Sequence, residues 1–402
     1  VTVSSAVSGQ VFLKPKRAQP FYARHPWVFA GAVERVEGNP ADGAVVDVRS
    51  HVGNFVARGL INNQSKIQVR LYSWDEKVEL DREFFKARLQ RALRLRHDIL
   101  KMNHGPDASY RIVFSEADTL SGMVVDRYGG WLTVQFTSLA MAVRRDMFGE
   151  LLTELLGCQG VYLRTEKGIG KLEGVTLQDG LLCGEAPPPE VIVHENGLKF
   201  AINLSEGQKT GYYLDQRDNR AAVAKLCGGK RVLDAFSYSG GFGMYAGAAG
   251  ATEVECVDAS DAALALVKRN AELNTLSQLT AVKSDIFQYL DAQVAAKRQF
   301  DVVILDPPKF ARDRASIPQA MRGYRQLAQQ GLKLLAPDGI LVKCCCSGLI
   351  TMDMFEEVIA QTAIDEKKDL QILSRTGPAP DHPVSVTCRE GAYLKCVIGR
   401  VA

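Results

Sequence analysis

The sequence lacks any apolar run of the 18 or more residues that a membrane-spanning helix needs, and Val1 to Gln10 is too polar to read as a signal peptide. It also lacks a CxxC pair: its nine Cys are an odd number, three of them adjacent. That excludes a disulfide scaffold or zinc cage and predicts reduced thiols and a cytoplasmic location. The six His are scattered and form no HExxH, so no metal is expected. Net charge is small, +3, and 46% hydrophobic with 24% charged residues is ordinary globular composition. A length of 402 residues predicts two or three domains.

The charge that is present lies unevenly. Residues 1–104 hold 17 Lys and Arg against 10 Asp and Glu, an excess of seven, while the remainder is acidic by four. A basic N-terminal part on an acidic remainder is the pattern of a polyanion-binding appendage on a catalytic body. A solvated basic face is the plainer alternative.

From Val11 to Trp74, short runs such as Val45–Val48, Asn54–Gly59 and Lys66–Leu71 alternate with turn residues and predict a small all-β module. Within it, Arg24-His25-Pro26-Trp27-Val28-Phe29 followed by Gly31 resembles the signature of the PUA RNA-binding domain. Trp27 and Phe29 are expected in the barrel core, Arg24 and His25 at RNA phosphates. Asp81 to His104 predicts a helix with an apolar stripe of Phe84, Phe85, Leu89, Ala92, Leu93, Leu95, Ile99 and Leu100. Arg82, Lys86, Arg88, Arg91, Arg94, Arg96 and Lys101 lie largely outside that stripe, to track a nucleic-acid backbone or simply to face water. Tyr110 to Pro187 reads as a mixed α+β module, with a helix over Ala140 to Leu156. The proline linker Glu185 to Glu190 closes it. The expected domains are therefore 1–78, 79–189 and 190–402.

In the third part, strands alternate with helices, which predicts a parallel, doubly wound sheet. Its strands are Arg231–Asp234, Glu253–Asp258, Leu279–Lys283, Asp301–Leu305 and Gly339–Cys346. The fourth is a nearly unbroken apolar run, buried on both faces, ending in Asp306-Pro307-Pro308. Two prolines neither donate to a ladder nor continue a helix, so the chain leaves the sheet there as a stiff loop. Ligands bind at that edge of open α/β sheets.

Two cofactor readings compete. Gly241-x-Gly243-x-x-Ala246 matches the dinucleotide fingerprint formally, with Asp258 17 residues beyond the first glycine. In that fingerprint, however, glycine follows the first strand directly and the helix N-terminus faces a pyrophosphate. Here Asp234 ends the strand, and a carboxylate repels phosphate but attracts an ammonium. Asp258 can accept from ribose hydroxyls, and Asp285, Ile286 and Phe287 would frame an adenine. S-adenosylmethionine fits this set better than NAD.

GQKTGYYLDQR (207–217), DAFSYSGGFG (234–243), DPPKF (306–310) and CSGLI (346–350) together resemble the bacterial RNA cytosine-5 methyltransferases, most closely the large-subunit rRNA methyltransferase I type. The likeness runs from RHPWVF to Asp381-His382-Pro383-Val384. It implies a small β-barrel PUA domain, a mixed α+β central domain and a Rossmann-like α/β methyltransferase domain. It also implies S-adenosylmethionine as cofactor and 23S rRNA as partner, with no membrane and no metal, and a homodimer left open. The cofactor-binding candidates are Lys209, Thr210, Tyr212, Asp215, Gln216, Arg217, Asp234, Phe236, Ser237, Gly240, Gly241, Phe242, Asp258, Ser260, Asp285, Ile286, Phe287, Asp306 and Pro307. Lys309 joins Arg24 and His25 as an RNA contact. The family's catalytic pair corresponds to Cys346 and Asp306.

Cytosine C5 is too weak a nucleophile to attack a sulfonium unaided. A thiolate added at C6 turns it into an enamine carbon that can attack, with Asp306 stabilising charge at the N3 and N4 edge. Lys309 and Lys343 are the sequence's candidates for favouring the Cys346 thiolate. Strand alternation would place Cys344 on the same face as Cys346, so Cys344 is a rival nucleophile. Cys158, Cys183, Cys227 and Cys256 read as small buried hydrophobes. Methylation of an exocyclic base nitrogen is the runner-up, although its adjacent aromatic, Phe310, comes one residue late. An RNA-binding module with a vestigial cofactor fold is the non-enzymatic alternative, against which the four acids at the strand ends argue.

Overall fold

The computed structural model describes residues 4–166, 168–205 and 210–402. The chain divides into two compact units: Val1–Val193 with Ile202–Leu214 and Pro380–Gly391, and His194–Ala201 with Asp215–Ala379 and Ala392–Ala402.

The first unit opens with a six-stranded sheet ordered Trp27–Phe29, Ile67–Ser73, Phe55–Ile61, Val45–Arg49, Val7–Leu13, Val33–Glu37. Alternating Val, Leu and Ile (Val11, Leu13, Val46, Val48, Val69, Leu71) fill its interior. Trp27 is only half-buried, its indole N–H donating to Glu116, and Phe29 is 47% exposed. Phe29 therefore leaves the expected barrel core: its three-residue strand ends there and the chain turns out into a 3-10 turn. A second, five-stranded sheet runs Gly180–Gly184, Gly160–Leu163, Trp131–Phe136, Met123–Tyr128, Ser109–Phe114. Phe85 and Leu89 of the helix Arg82–Arg94 and Phe148 and Leu151 of the helix Arg145–Leu156 share its core. The helix expected over 140–156 is two, Leu139–Ala142 and Arg145–Leu156.

The basic helix departs from its expected phase. Asp81 caps it through the Phe84 N–H at 2.8 Å, but after Arg94 it widens into a π turn, Leu95–Ile99. A π turn shifts every later side chain around the axis. Ile99 is consequently 71% exposed and Arg96 completely buried. Arg96 is removed from the nucleic-acid face: it makes a bidentate pair with Asp118 at 2.5 and 2.9 Å and donates to the carbonyls of Arg111 and Asp381. Arg82 and Lys86 are tied to Glu154, leaving Arg91, Arg94 and Lys101 exposed.

The second unit is the doubly wound sheet. Its strands are β1 (Arg231–Ala235), β2 (Glu253–Asp258), β3 (Leu279–Lys283), β4 (Phe300–Leu305), β5 (Leu335–Cys345), β6 (Leu370–Thr376) and β7 (Lys395–Val401). The order is β3-β2-β1-β4-β5-β7-β6, with β7 antiparallel to both neighbours. Helices α1 (Arg217–Ala224), α2 (Gly241–Ala248), α3 (Asp261–Leu273), α4 (Ile286–Ala295), α5 (Ile317–Leu334) and α6 (Met352–Asp365) connect and cover the strands. Val302 to Leu305 are all buried, as a strand covered on both faces requires. The strand order reverses between β1 and β4, which brings Asp234 and Asp306 to adjacent strand ends.

Arg96→Ala would leave Asp118 buried without its guanidinium, a change that costs about 3–5 kcal/mol. We expect a loss of that order in urea denaturation; a change below about 1 kcal/mol would show that the pair contributes little.

Candidate active site

β1 delivers Asp234, 1% exposed, to the start of α2, where its Oδ2 accepts the Gly243 N–H at 2.9 Å. A Cβ on Gly243 would stand 2.4 Å from Cys256 Sγ, and one on Gly241 2.7 Å from Arg220 Nε. These two glycines are therefore demanded by packing, and the N–H at the helix start meets a carboxylate rather than a phosphate. Burial, aided by the charges of Asp306 and Asp258, pushes the Asp234 carboxyl up to about 7 against the pull of the Gly243 N–H and Arg220.

The loop after β1 holds Phe236 and Tyr238 at φ 64° and 49°, in the left-handed region that non-glycine residues rarely enter. That turn aims the Tyr238 N–H at Asp258 Oδ2, while the Ser260 N–H meets Oδ1, both at 2.9 Å. A carboxylate oxygen accepts two bonds, so Asp258 keeps capacity for a diol. The buried hydroxyls of Ser237 and Ser239 have no partner among the described residues. Unsatisfied buried donors of this kind fit a polar ligand such as S-adenosylmethionine.

At the next strand end, the Asp306 N–H reaches the Ala235 carbonyl at 3.4 Å, and Asp306 Oδ2 accepts from Gln216 Nε2 at 3.0 Å. Pro307 is buried and its carbonyl lies 3.8 Å from Cys346 Sγ. β5 ends at Cys345, which releases Cys346 into the loop, half-buried, while Cys344 and Cys345 are fully buried. Cys344 faces Cys396 across the β5–β7 ladder; their hydrogen bond, then burial, raises the Cys344 thiol well above its ordinary pKa. Cys158 and Cys183 are half-buried, Cys227 and Cys256 fully so.

The expected role of Lys343 is corrected. Its ammonium is wholly buried beside the Tyr324 and Phe355 rings, donates to the Tyr324 carbonyl, and is pulled down to about 7 by burial. Lys395 is an ammonium that couples electrostatically to Cys346: burial lowers it, and the charges of Cys345 and Cys346 partly restore it. Its Nζ donates to the carbonyls of Ser347 at 2.7 Å and Tyr393 at 2.9 Å. The sequence carries no local sign of this, because Lys395 arrives on the antiparallel β7.

The other candidates fall as follows. Lys209 lies outside the described residues. Thr210 and Tyr212 belong to the first unit, where Thr210 Oγ1 donates to Asp126 at 2.6 Å and the Tyr212 N–H to Tyr128 Oη at 3.1 Å. Asp215 accepts from the Tyr393 hydroxyl, and Arg217 meets Asp218 at 3.2 Å. Gly240, at φ 76°, precedes α2, and Phe242 is buried within it. Ser260 caps α3 and the exposed Asp285 caps α4. Ile286 is buried in the core with Ala235 and Val257, and Phe287 packs 6.4 Å from Phe236 and 6.5 Å from Phe310. Lys309 and Arg24 are exposed. His25 Nε2 lies 3.6 Å from Glu390, and Cys388 joins them in a group whose ligand atoms lie within 4.8 Å of one another. Nδ1 of that ring accepts the Trp27 N–H at 3.3 Å, which leaves the imidazole proton on Nε2, facing Glu390.

A PUA-like domain family model matches residues 11–74, and an S-adenosylmethionine-dependent methyltransferase family model matches 180–397. The ribosomal RNA large subunit methyltransferase I of Aeromonas salmonicida is 38% identical over 392 residues, 97% of this chain and 98% of that protein. Its counterpart from Shewanella amazonensis is 38% identical over 397 residues, 98% of this chain and 100% of that protein. A solved structure described as a methyltransferase complexed with SAH superposes with a TM-score of 0.84 at 23% identity, covering 98% of this chain and 100% of that chain. At that identity the likeness speaks for the fold alone.

The raised Asp234 carboxyl has a signed consequence. Its affinity for a proton is higher folded (about 7) than at the ordinary 3.8, so its contribution to stability falls as pH rises through that interval. Asp234→Asn should therefore stabilise the ligand-free protein increasingly from pH 5 to pH 8. A thermal-shift difference between variant and wild type that did not change with pH would contradict this.

Proposed function

Because the chain belongs to the ribosomal RNA large subunit methyltransferase I family, we propose that it methylates C5 of a cytosine in 23S rRNA through a covalent bond between Cys346 and C6. It is an S-adenosylmethionine-dependent large-subunit rRNA methyltransferase with a PUA-like domain. The cytosine, the C5 position and the adduct are the inferred part, and one observation carries them: Cys346, alone of the three adjacent cysteines, is not fully buried, and its sulfur lies 3.8 Å from the Pro307 carbonyl in the loop that holds Asp306.

S-adenosylmethionine supplies the methyl group; Asp234, Asp258 and the hydroxyls of Ser237 and Ser239 are the residues that would hold it. The Cys346 thiolate, favoured by the Lys395 ammonium, adds to C6 and forms a C–S bond as the C5=C6 double bond breaks. Asp306 meets the N3 and N4 edge, where the displaced electron density gathers. After C5 takes the methyl group its proton leaves to a base, the C5–H electrons re-form C5=C6, and the C–S bond breaks to release the Cys346 thiolate. Methylation at an exocyclic nitrogen is less well supported. Phe310, the aromatic that chemistry would stack on the base, packs 4.9 Å from Tyr324, and a Cβ on Gly323 would touch it at 3.1 Å.

Cys346→Ala should abolish methyl transfer to rRNA from a deletion strain while leaving S-adenosylmethionine affinity, read by calorimetry, within about twofold. Retained transfer would remove the covalent step.

A further inference from the structure

Asp306 is the end of a chain of hydrogen bonds whose direction can be read without ambiguity. The Asn219 side-chain amide reaches the Gly377 carbonyl at 3.1 Å, and a carbonyl only accepts, so that end of Asn219 is its NH2. Asn219 Oδ1 therefore faces Thr376, whose hydroxyl donates to it at 2.6 Å. The same NH2 meets Gln216 at 2.6 Å and must find its oxygen there. Gln216 is thereby turned so that its NH2, not its carbonyl, meets Asp306 Oδ2 at 3.0 Å. One backbone carbonyl thus sets the polarity of two amides. Asn219 is 1% exposed and Gln216 3% exposed, so water cannot readily take over either contact.

We propose that Thr376, Asn219 and Gln216 are positioning residues that deliver an N–H to Asp306 Oδ2 and so fix the rotamer of that carboxyl. A carboxyl held in one rotamer presents one fixed edge to N3 and N4 of the base as C6 is attacked. Gln216, a cofactor candidate on sequence grounds, acts here on the carboxylate. This inference rests on the reading that Asp306 meets the target base.

The test is a double-mutant cycle in the full chain. Asn219→Asp keeps the shape but loses both N–H donors and presents oxygen to Gln216, whose amide must then flip and set its carbonyl against Asp306. Gln216→Met removes the final donor. Each single variant should lower kcat for rRNA methylation about tenfold or more, the scale of a hydrogen bond to a charged group, with the S-adenosylmethionine Kd within about twofold. The double variant should be no slower than Gln216→Met alone. Additive losses in kcat, or losses confined to cofactor Kd, would overturn the proposal. Thr376→Val deletes only the hydroxyl at the head of the chain and covers the case in which Asn219→Asp fails to fold; an unchanged kcat there would also count against the relay. A product methylated at N4 instead of C5 would sink the reading of the reaction and leave the cycle interpretable.

Discussion

The proposed chemistry depends on the register between two adjacent parallel strands. Leu305, the last residue of β4, pairs with Lys343 of β5. Pro307 and Cys346 follow within two and three residues of that pair, so the two loops leave the sheet side by side. The Pro-Pro corner keeps the first loop from curling into a helix, and the end of β5 at Cys345 lets the second turn its thiol toward it. A slip of one residue between β4 and β5 would shift the end of β5 relative to Pro307 and carry the Cys346 loop away from it. The 3.8 Å between Cys346 Sγ and the Pro307 carbonyl is thus a property of the sheet.

Around that point the second unit concentrates acids. Asp234 and Asp306 end the two strands that flank the reversal of order, and Asp258 ends the next. Each is held by donors that the fold supplies: an α2 N–H for Asp234, two loop N–H groups for Asp258, a side-chain amide for Asp306. Burial of Asp234 raises its proton affinity, and a cationic ligand group would be the partner that relieves it. The left-handed Phe236 and Tyr238 are the backbone strain that such aiming requires.

Much of this was legible in the sequence, for identifiable reasons. The apolar run before Asp306 reads as a buried parallel strand because both of its faces are covered, and an acid at the end of β1 rather than a glycine separates the S-adenosylmethionine reading from NAD. What escaped came from long-range pairing. β6 and β7 return along the sheet after α6, and they carry Thr376 and Lys395, the residues that orient Asp306 through two amides and place an ammonium by Cys346. No local spacing announces them. The error over Arg96 has a different source: helical periodicity assumes a constant turn, and the π turn at Leu95–Ile99 breaks it. Alternation misled in the same way at Cys344 and Cys346, because the strand stops between them.

The central claim is that Cys346 bonds to C6 of the target cytosine. Incubating the enzyme and S-adenosylmethionine with rRNA in which cytidine is replaced by 5-fluorocytidine tests it directly, since fluorine cannot leave as a proton and elimination stalls. Peptide mapping of the trapped complex should find the nucleotide on Cys346. An adduct on Cys344, or undiminished methyl transfer with no adduct at all, would contradict the account.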